Sequence, residues 1–274
     1  MQLSTEAVAR FQQRIWNYYH EYGRPFPWRD TNDPYKILVS ELMLQQTQTE
    51  RVLKKYQPFL ERFPGYAELA EAPLADVLSL WQGLGYNRRA LGLKRIAELV
   101  KSKHNGVLPD DPDILLSFPM IGPATAGSLQ AFIFNKPVAF IETNIRRVIL
   151  YYFFDSKDGV QDSEVLDMVT QVLDASDPRQ WYYALMDYGV YLKYAIVNPN
   201  RRSAHYRRQA PFENSNRQIR GALLRLINQK GPLPKDVIYG EMSSFEEDRV
   251  FNCLSDLERE GFIAGENGTY RIGP

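Results

Sequence analysis

The sequence predicts a predominantly α-helical protein that ends in a small module of three helices and a β-hairpin. Two observations carry this: apolar residues recur at helical spacing along nearly the whole chain, and strand-like patterning is confined to the region after residue 260. Size supplies a third. At 274 residues, 44% hydrophobic and 24% charged, the chain can bury the cores of two lobes and a small appendage.

Val8, Phe11, Ile15, Trp16 and Tyr19 fall on one side of a first helix. A loop rich in Pro and Arg covers residues 23–30. Asp33 then offers an N-cap, with Pro34 at the first helical position. Helical patterns continue over about 51–62, 74–82, 88–103, 123–134, 144–153, 162–174 and 180–194, joined by short linkers with Pro, Asp or Gly. Beyond Glu213, residues 216–228, 234–241 and 246–260 read as three short helices. Residues 262–272 read as two strands turning at Asn267-Gly268, a strong hairpin signal. That order predicts a winged-helix-like module.

The 33 basic and 33 acidic residues cancel, but their distribution is uneven. Between residues 193 and 225, Lys193, Arg201, Arg202, Arg207, Arg208, Arg217, Arg220 and Arg225 stand against one acid, Glu213. A second run holds Arg88, Arg89, Lys94 and Arg95. Such blocks either attract phosphates or form solvated helix faces. The single cysteine, Cys253, excludes an internal disulfide framework and a cysteine-built metal site, and its apolar surroundings predict a buried thiol. The N-terminus has no signal pattern, and no stretch approaches 18 uninterrupted apolar residues, so the chain reads as soluble, cytoplasmic and intracellular.

Chemistry enters at residues 34–48. At about 100° per residue, Ile37, Glu41, Gln45 and Gln48 fall on one side of a helix, flanked by Leu38 and Leu42. A carboxyl group in an apolar stripe is partly desolvated and its pKa rises, as a general acid near neutral pH requires. Alternatively, such a Glu snorkels or pairs with an arginine. The neighbouring glutamines are suited to hydrogen-bond a nucleobase edge or a sugar. Residues 118–127 read as helix, tight Pro/Gly turn and second helix, whose N-terminal N–H groups make a phosphate site; an ordinary helix corner looks the same. Further on, Glu142-Thr143-Asn144 precedes a helix opening with Arg146 and Arg147: a second carboxylate for the chemistry, or a polar cap. Breaking an N-glycosidic bond asks for this set: an acid for the leaving base, a carboxylate for the cationic sugar, and an anchor for the DNA backbone.

With these stretches in place, the chain resembles the helix-hairpin-helix DNA glycosylases, and within them the A/G-specific adenine DNA glycosylases. The matching segments are Pro27-Trp28-Arg29, Ser40-Glu41-Leu42-Met43-Leu44-Gln45-Gln46-Thr47-Gln48, Trp81-Gln82-Gly83-Leu84-Gly85-Tyr86-Asn87-Arg88-Arg89, the hairpin, Thr143-Asn144-Ile145-Arg146-Arg147-Val148 and Ala184-Leu185-Met186-Asp187-Tyr188-Gly189, in family order over roughly residues 1–210. The resemblance implies an all-α, two-lobed glycosylase fold. Its parts are an N-terminal helix in 1–27 that packs on the second lobe, a six-helix barrel with the hairpin in 28–138, a second lobe in 139–212 and the winged-helix-like module in 213–274. It implies that Glu41 protonates adenine, and that Glu142 stands where the family has Asp, with Asn144 supporting it and the water. Gln45 then acts as a wedge beside the opposing base and Tyr86 as a probe near it. Ile121, Gly122, Ala124 and Thr125 hold the DNA backbone, with Arg29, Gln46, Arg88, Arg201 and Arg202 as further DNA or base contacts.

Four departures qualify the match. Glu142 is one methylene longer than Asp, about a bond length, and a misplacement of about 1 Å can cost on the order of a hundredfold in rate unless the site is reshaped. Met120 replaces the usual first glycine of the hairpin, which predicts an altered or strained turn. Ala124 stands where bifunctional relatives carry a Schiff-base lysine, which implies a monofunctional, water-dependent reaction. Finally, the family spacing for a [4Fe–4S] cluster lands on Lys193, Asn200, Ser203 and Gln209, so no cluster or other cofactor is expected. The expected activity is excision, by a monomer acting on double-stranded DNA with a mismatch or lesion, of adenine opposite 8-oxoguanine or guanine. The alternatives are excision of thymine, uracil or hypoxanthine, or DNA binding without catalysis.

Overall fold

The computed structural model describes residues 2–155, 157–207 and 211–273. It is mostly helical: α1 Thr5–Tyr22, α2 Pro34–Leu44, α3 Thr49–Arg62, α4 Tyr66–Glu71, α5 Leu74–Trp81, α6 Arg88–Lys103, α7 Pro112–Ser117, α8 Pro123–Phe134, α9 Thr143–Phe153, α10 Asp162–Val172 and α11 Pro178–Ala195. A 3-10 turn at Pro199–Arg202 follows, then α12 Asn216–Lys230, β1 Leu233–Pro234, α13 Lys235–Glu241, α14 Glu247–Arg259, β2 Ile263–Glu266 and β3 Thr269–Ile272. No described helix is long and apolar enough to cross a membrane.

The caps follow the local chemistry. Ser4 accepts from Ala7 N at 3.2 Å and starts α1, and Asp33 accepts from Tyr35 N at 2.9 Å at the start of α2. The chain forms two compact units. The first holds the chain up to Glu41, Asp110–Ser117 and the described residues from Ile121 to 207. The second holds Leu42–Pro109, Phe118–Met120 and the described residues from 211 onward.

In the first unit α11 is the central helix, packed by α9, α1 and α8 around Phe11, Ile15, Leu129, Phe132, Ile145, Trp181 and Leu185. In the second, α3, α4, α5 and α6 enclose Phe59, Phe63, Trp81, Leu93 and Ile96, and α12 packs on α5. The C-terminal module has the order helix, strand, helix, helix, strand, strand, with an antiparallel sheet ordered β1-β3-β2. Its core includes Ile219, Leu223, Ile238, Leu254, Phe262 and the expected buried thiol of Cys253.

Two features depart from the sequence reading. A strand precedes residue 260, because Leu233 and Pro234 pair with Tyr270 and Thr269; two residues are too short to display alternation, and the distant β3 supplies the pairing. The short helices α4 and α7 also lay outside the expected ranges; α7 ends at Ser117, before the segment read as the first helix of the hairpin.

Candidate active site

Glu41 lies one turn from the end of α2, on a helix that buries Ile37, Leu38, Val39 and Leu42. Burial drives its carboxyl pKa from 4.5 to about 7; the Ser128 hydroxyl and Arg29 pull it down, and the negative charge of Glu142 adds to the rise. Arg29 is only a weak counterweight because it is already engaged. Its Nη1 and Nη2 each lie 2.8 Å from an oxygen of buried Asp187, which also takes Arg24, and its guanidinium sits 4.6 Å over the Tyr183 ring.

One hydroxyl faces the carboxyl. Ser128 Oγ lies 2.5 Å from Glu41 Oε2 and 3.0 Å from Thr125 O. A serine hydroxyl has one proton, so it cannot donate to both acceptors. It donates to the ionised Glu41 carboxylate, and once Glu41 is protonated the acid can donate to Ser128 while Ser128 turns to Thr125 O.

Glu142 is the N-cap of α9. Its Oε1 accepts from Asn144 N at 2.6 Å and Ile145 N at 2.7 Å, and its Oε2 accepts from Asn144 Nδ2 at 3.2 Å. The longer side chain folds back onto the helix terminus, so the extra methylene is taken up locally. Burial raises its pKa, against the two N–H groups and the charges of Arg147 and Arg146. Every donor here favours the carboxylate, as does the positive end of α9. The residue is therefore a cap, and its carboxylate remains a candidate for the chemistry.

Arg147 fixes Asn144 from behind: its Nη1 donates to Asn144 Oδ1 and to Gly189 O, both at 2.7 Å. Gly189 lets α11 approach this point, since a Cβ there stands 2.4 Å from Asn144 O. Gly189→Ala is expected to cost about 1–3 kcal/mol by overpacking, seen as a lower midpoint in denaturant melts, and to displace Asn144.

The second unit holds the glutamines and Tyr86. Helix α2 ends at Leu44, so Gln45 and Gln48 do not continue the face of Glu41, contrary to the sequence reading. Gln46 enters the left-handed region at φ 52°, and the buried Arg89 takes up the freed carbonyls. Arg89 donates to Leu42 O and Met43 O at 2.8 Å and to Gln45 O at 2.5 Å through Nη1, and to Thr47 Oγ1 and Gly85 O at 2.9 Å through Nη2. One guanidinium thereby ties the Gln45–Gln46 turn to the loop of Tyr86, itself at φ 48° and 39% exposed. Gln45 Nε2 donates to Met120 O at 3.2 Å. Met120 does adopt the left-handed conformation, at φ 66°, and its side chain fills the space over Gly92.

Of the backbone-binding set, Ile121 is buried while Gly122 and Ala124 are exposed and Thr125 is half-buried, at the start of α8. Three of the expected cationic contacts are paired within the protein. Arg29 is buried on Asp187, Arg88 forms a bidentate pair with Glu260 at 2.6 and 2.8 Å, and Arg202 bonds Asp155 at 3.0 Å. The second basic run is not an open phosphate patch either: Lys94 donates to Ala70 O at 2.6 Å and Arg95 to Glu260 O at 2.9 Å. Arg201 and Arg207 remain exposed, and Arg208 lies outside the described residues. Sequence reasoning missed Arg89, Asp187, Ser128, Arg147 and Gly189; for Arg89, the available signal was an arginine inside an apolar helix.

The residues at the cluster spacing do not fit an iron–sulfur group. Asn200 is buried and donates to Thr143 O at 3.1 Å, and Ser203 Oγ accepts from His205 N at 3.2 Å. Lys193 is an exposed ammonium beside the Tyr194 ring, and Gln209 lies outside the described residues. Amide, hydroxyl and ammonium groups are not the thiolates such clusters take. A short parallel bridge ties this loop instead, with Val160 N donating to Arg202 O at 2.9 Å and Ala204 N to Val160 O at 3.0 Å.

Residues 39–168 match the HhH-GPD superfamily of base excision DNA repair proteins. The chain is 41% identical over 144 residues to an adenine DNA glycosylase of Buchnera aphidicola subsp. Baizongia pistaciae, covering 52% of this chain and 41% of that protein's length. It is 34% identical over 229 residues to the adenine DNA glycosylase of Mycolicibacterium smegmatis, covering 77% of this chain and 78% of that one. Among solved structures, a thermostable thymine-DNA glycosylase matches with a TM-score of 0.62 at 25% identity, over 72% of this chain and 90% of the other.

Proposed function

Since the chain belongs to the HhH-GPD superfamily of base excision DNA repair proteins, we propose that it is a monofunctional DNA glycosylase acting on adenine mispaired with 8-oxoguanine or guanine in duplex DNA. The burial of Glu41 carries this reading, because it lifts the carboxyl pKa to about 7 and so keeps a proton available near neutral pH. Glu41 delivers that proton to the departing adenine as the glycosidic bond lengthens. The sugar gains positive charge, which the Glu142 carboxylate stabilises from its place at the end of α9. Asn144, locked by Arg147, holds the free face of Glu142 toward the attacking water. Water then completes hydrolysis, leaving an abasic site and free adenine. With Ala124 at the position of the lysine nucleophile, no strand nick follows.

The likeness to a thymine-DNA glycosylase favours a second reading, removal of a mismatched thymine, uracil or hypoxanthine by the same carboxylates. Single-turnover incubation with A:8-oxoG, A:G, T:G, U:G and I:T duplexes, followed by alkali, separates the two. Alkali-labile sites at adenine alone support the first; sites at pyrimidines or hypoxanthine replace it with the second. Tight binding without product on any duplex rejects both. Nicking without alkali rejects the monofunctional assignment.

The activity is proposed to need no iron. Metal analysis of protein purified without chelators is expected to find no stoichiometric iron or sulfide, and four irons per active chain would refute this.

A further inference from the structure

The acid of the site is held by a hydroxyl from the second helix of the hairpin. Ser128 lies on α8 and is 5% exposed; its Oγ stands 2.5 Å from Glu41 Oε2 and 3.0 Å from Thr125 O on its own helix. A serine within a helix commonly bonds the carbonyl three or four residues earlier, and Thr125 O offers that partner. The contact with Glu41 is the shorter one, at the length of a hydroxyl donating to a carboxylate. Packing fixes Ser128 in this place. A Cβ on the neighbouring Gly127 would stand 2.6 Å from Phe140 Cβ, so α8 lies directly against Phe140.

Other elements present titratable groups to Glu41. Glu142, at the cap of α9, opposes its ionisation. Arg29, from the loop before α2, favours ionisation but is committed to Asp187 of α11. Tyr183, also on α11, is buried, and burial pushes its phenol pKa up, so it stays neutral near the carboxyl. Among the described residues, Ser128 is the group that donates a hydrogen bond to the Glu41 side chain. We propose that Ser128 is a positioning residue for the general acid: it holds Oε2 of Glu41, so that Oε1 presents the proton to the departing base, and it secures the carboxylate left behind. As the proton leaves Oε1, negative charge spreads onto Oε2, and Ser128 commits its hydroxyl to Glu41 and away from Thr125 O. Ser128 keeps its own proton throughout. The bond is stronger with the carboxylate than with the acid, so it favours the proton transfer over the resting state. The base that takes the proton rests on the glycosylase reading; the hold on Glu41 does not.

Ser128→Ala removes the donor and keeps the helix, since alanine is the strongest helix former. Glu41 is then followed in two ways on the full chain. With carboxyl-13C glutamate incorporated, the Glu41 signal is identified by its loss in Glu41→Gln and titrated by NMR. In parallel, single-turnover excision from an A:8-oxoG duplex is measured between about pH 5 and 9. The hydroxyl favours the ionised carboxyl, so its removal raises the midpoint. In Ser128→Ala both midpoints are expected to move up by about one pH unit, a tenfold change in proton affinity. The rate on the acidic plateau is expected to fall about three- to tenfold, as proton transfer becomes harder. Ser128→Thr keeps a hydroxyl and is expected to hold both midpoints near those of the unmodified protein. Unmoved or lowered midpoints in Ser128→Ala overturn the proposal, even where the rate falls, and leave Ser128 a helix residue satisfied on Thr125 O. Equal upward movement in Ser128→Thr and Ser128→Ala also overturns it, because packing and not the hydroxyl then sets the acid. A raised NMR midpoint in Ser128→Ala, when even the unmodified protein excises nothing from any duplex, supports the hold of Ser128 on Glu41 and removes the glycosylase reading.

Discussion

Glu41→Gln is expected to reduce single-turnover excision by roughly 10²- to 10⁴-fold while the protein stays folded and bound to mismatched duplex, because only the transferable proton is removed. The amide can still meet Ser128, so the packing around α2 survives. The pH profile adds an independent check. With the carboxyl titrating at about 7, the reactive protonated form dominates below that value, and the rate is expected to fall tenfold per unit above it. Stability changes in the same direction. A carboxyl raised in the folded state contributes fully below its unfolded value of 4.5 and loses that contribution as pH rises to about 7. Glu41→Gln is therefore expected to be more stable than the unmodified protein at pH 8, by about 3 kcal/mol, and equal to it near pH 4. Chemical denaturation at the two pH values measures this. A flat rate between pH 6 and 9, or a variant less stable at pH 8, contradicts a desolvated acid.

Glu142→Gln is expected to cost about 10²- to 10³-fold in rate with little change in stability, since the amide oxygen can still accept the N–H groups of Asn144 and Ile145 while the charge is gone. Glu142→Ala removes charge and cap together, adding a stability loss of about 1 kcal/mol. Glu142→Asp keeps both. Because the glutamate already folds back onto the α9 terminus, the aspartate is expected to remain within about tenfold of the unmodified rate. Rapid-quench kinetics beside denaturant melts separates the three variants. A Glu142→Gln protein of full activity assigns the residue to the cap alone.

Several parts of this arrangement were legible in the chain. The Asp33 cap, the α7–α8 turn, the hairpin at Asn267-Gly268 and the apolar face around Glu41 depend on residues within a turn or two of each other. Local sequence displays such relations directly. A strained turn at Met120 was likewise expected from a missing glycine, and the residue takes a positive φ of 66°. The reading that Gln45 and Gln48 share the face of Glu41 failed because α2 stops at Leu44. Arg89, more than forty residues away, receives the released carbonyls.

By itself, then, the sequence determined the helical class, most of the element order, the family and the two candidate carboxylates. The tertiary structure decided their states and the fate of the arginines. A pKa depends on how much water the whole fold removes and which distant charges face the group; Ser128 and Arg29 reach Glu41 from other helices and loops. An arginine in a basic run looks available until folding brings Asp187, Glu260 or a helix terminus against it. Desolvation and pairing act across long sequence separations, so they are properties of the packed molecule and leave only faint marks in the linear chain.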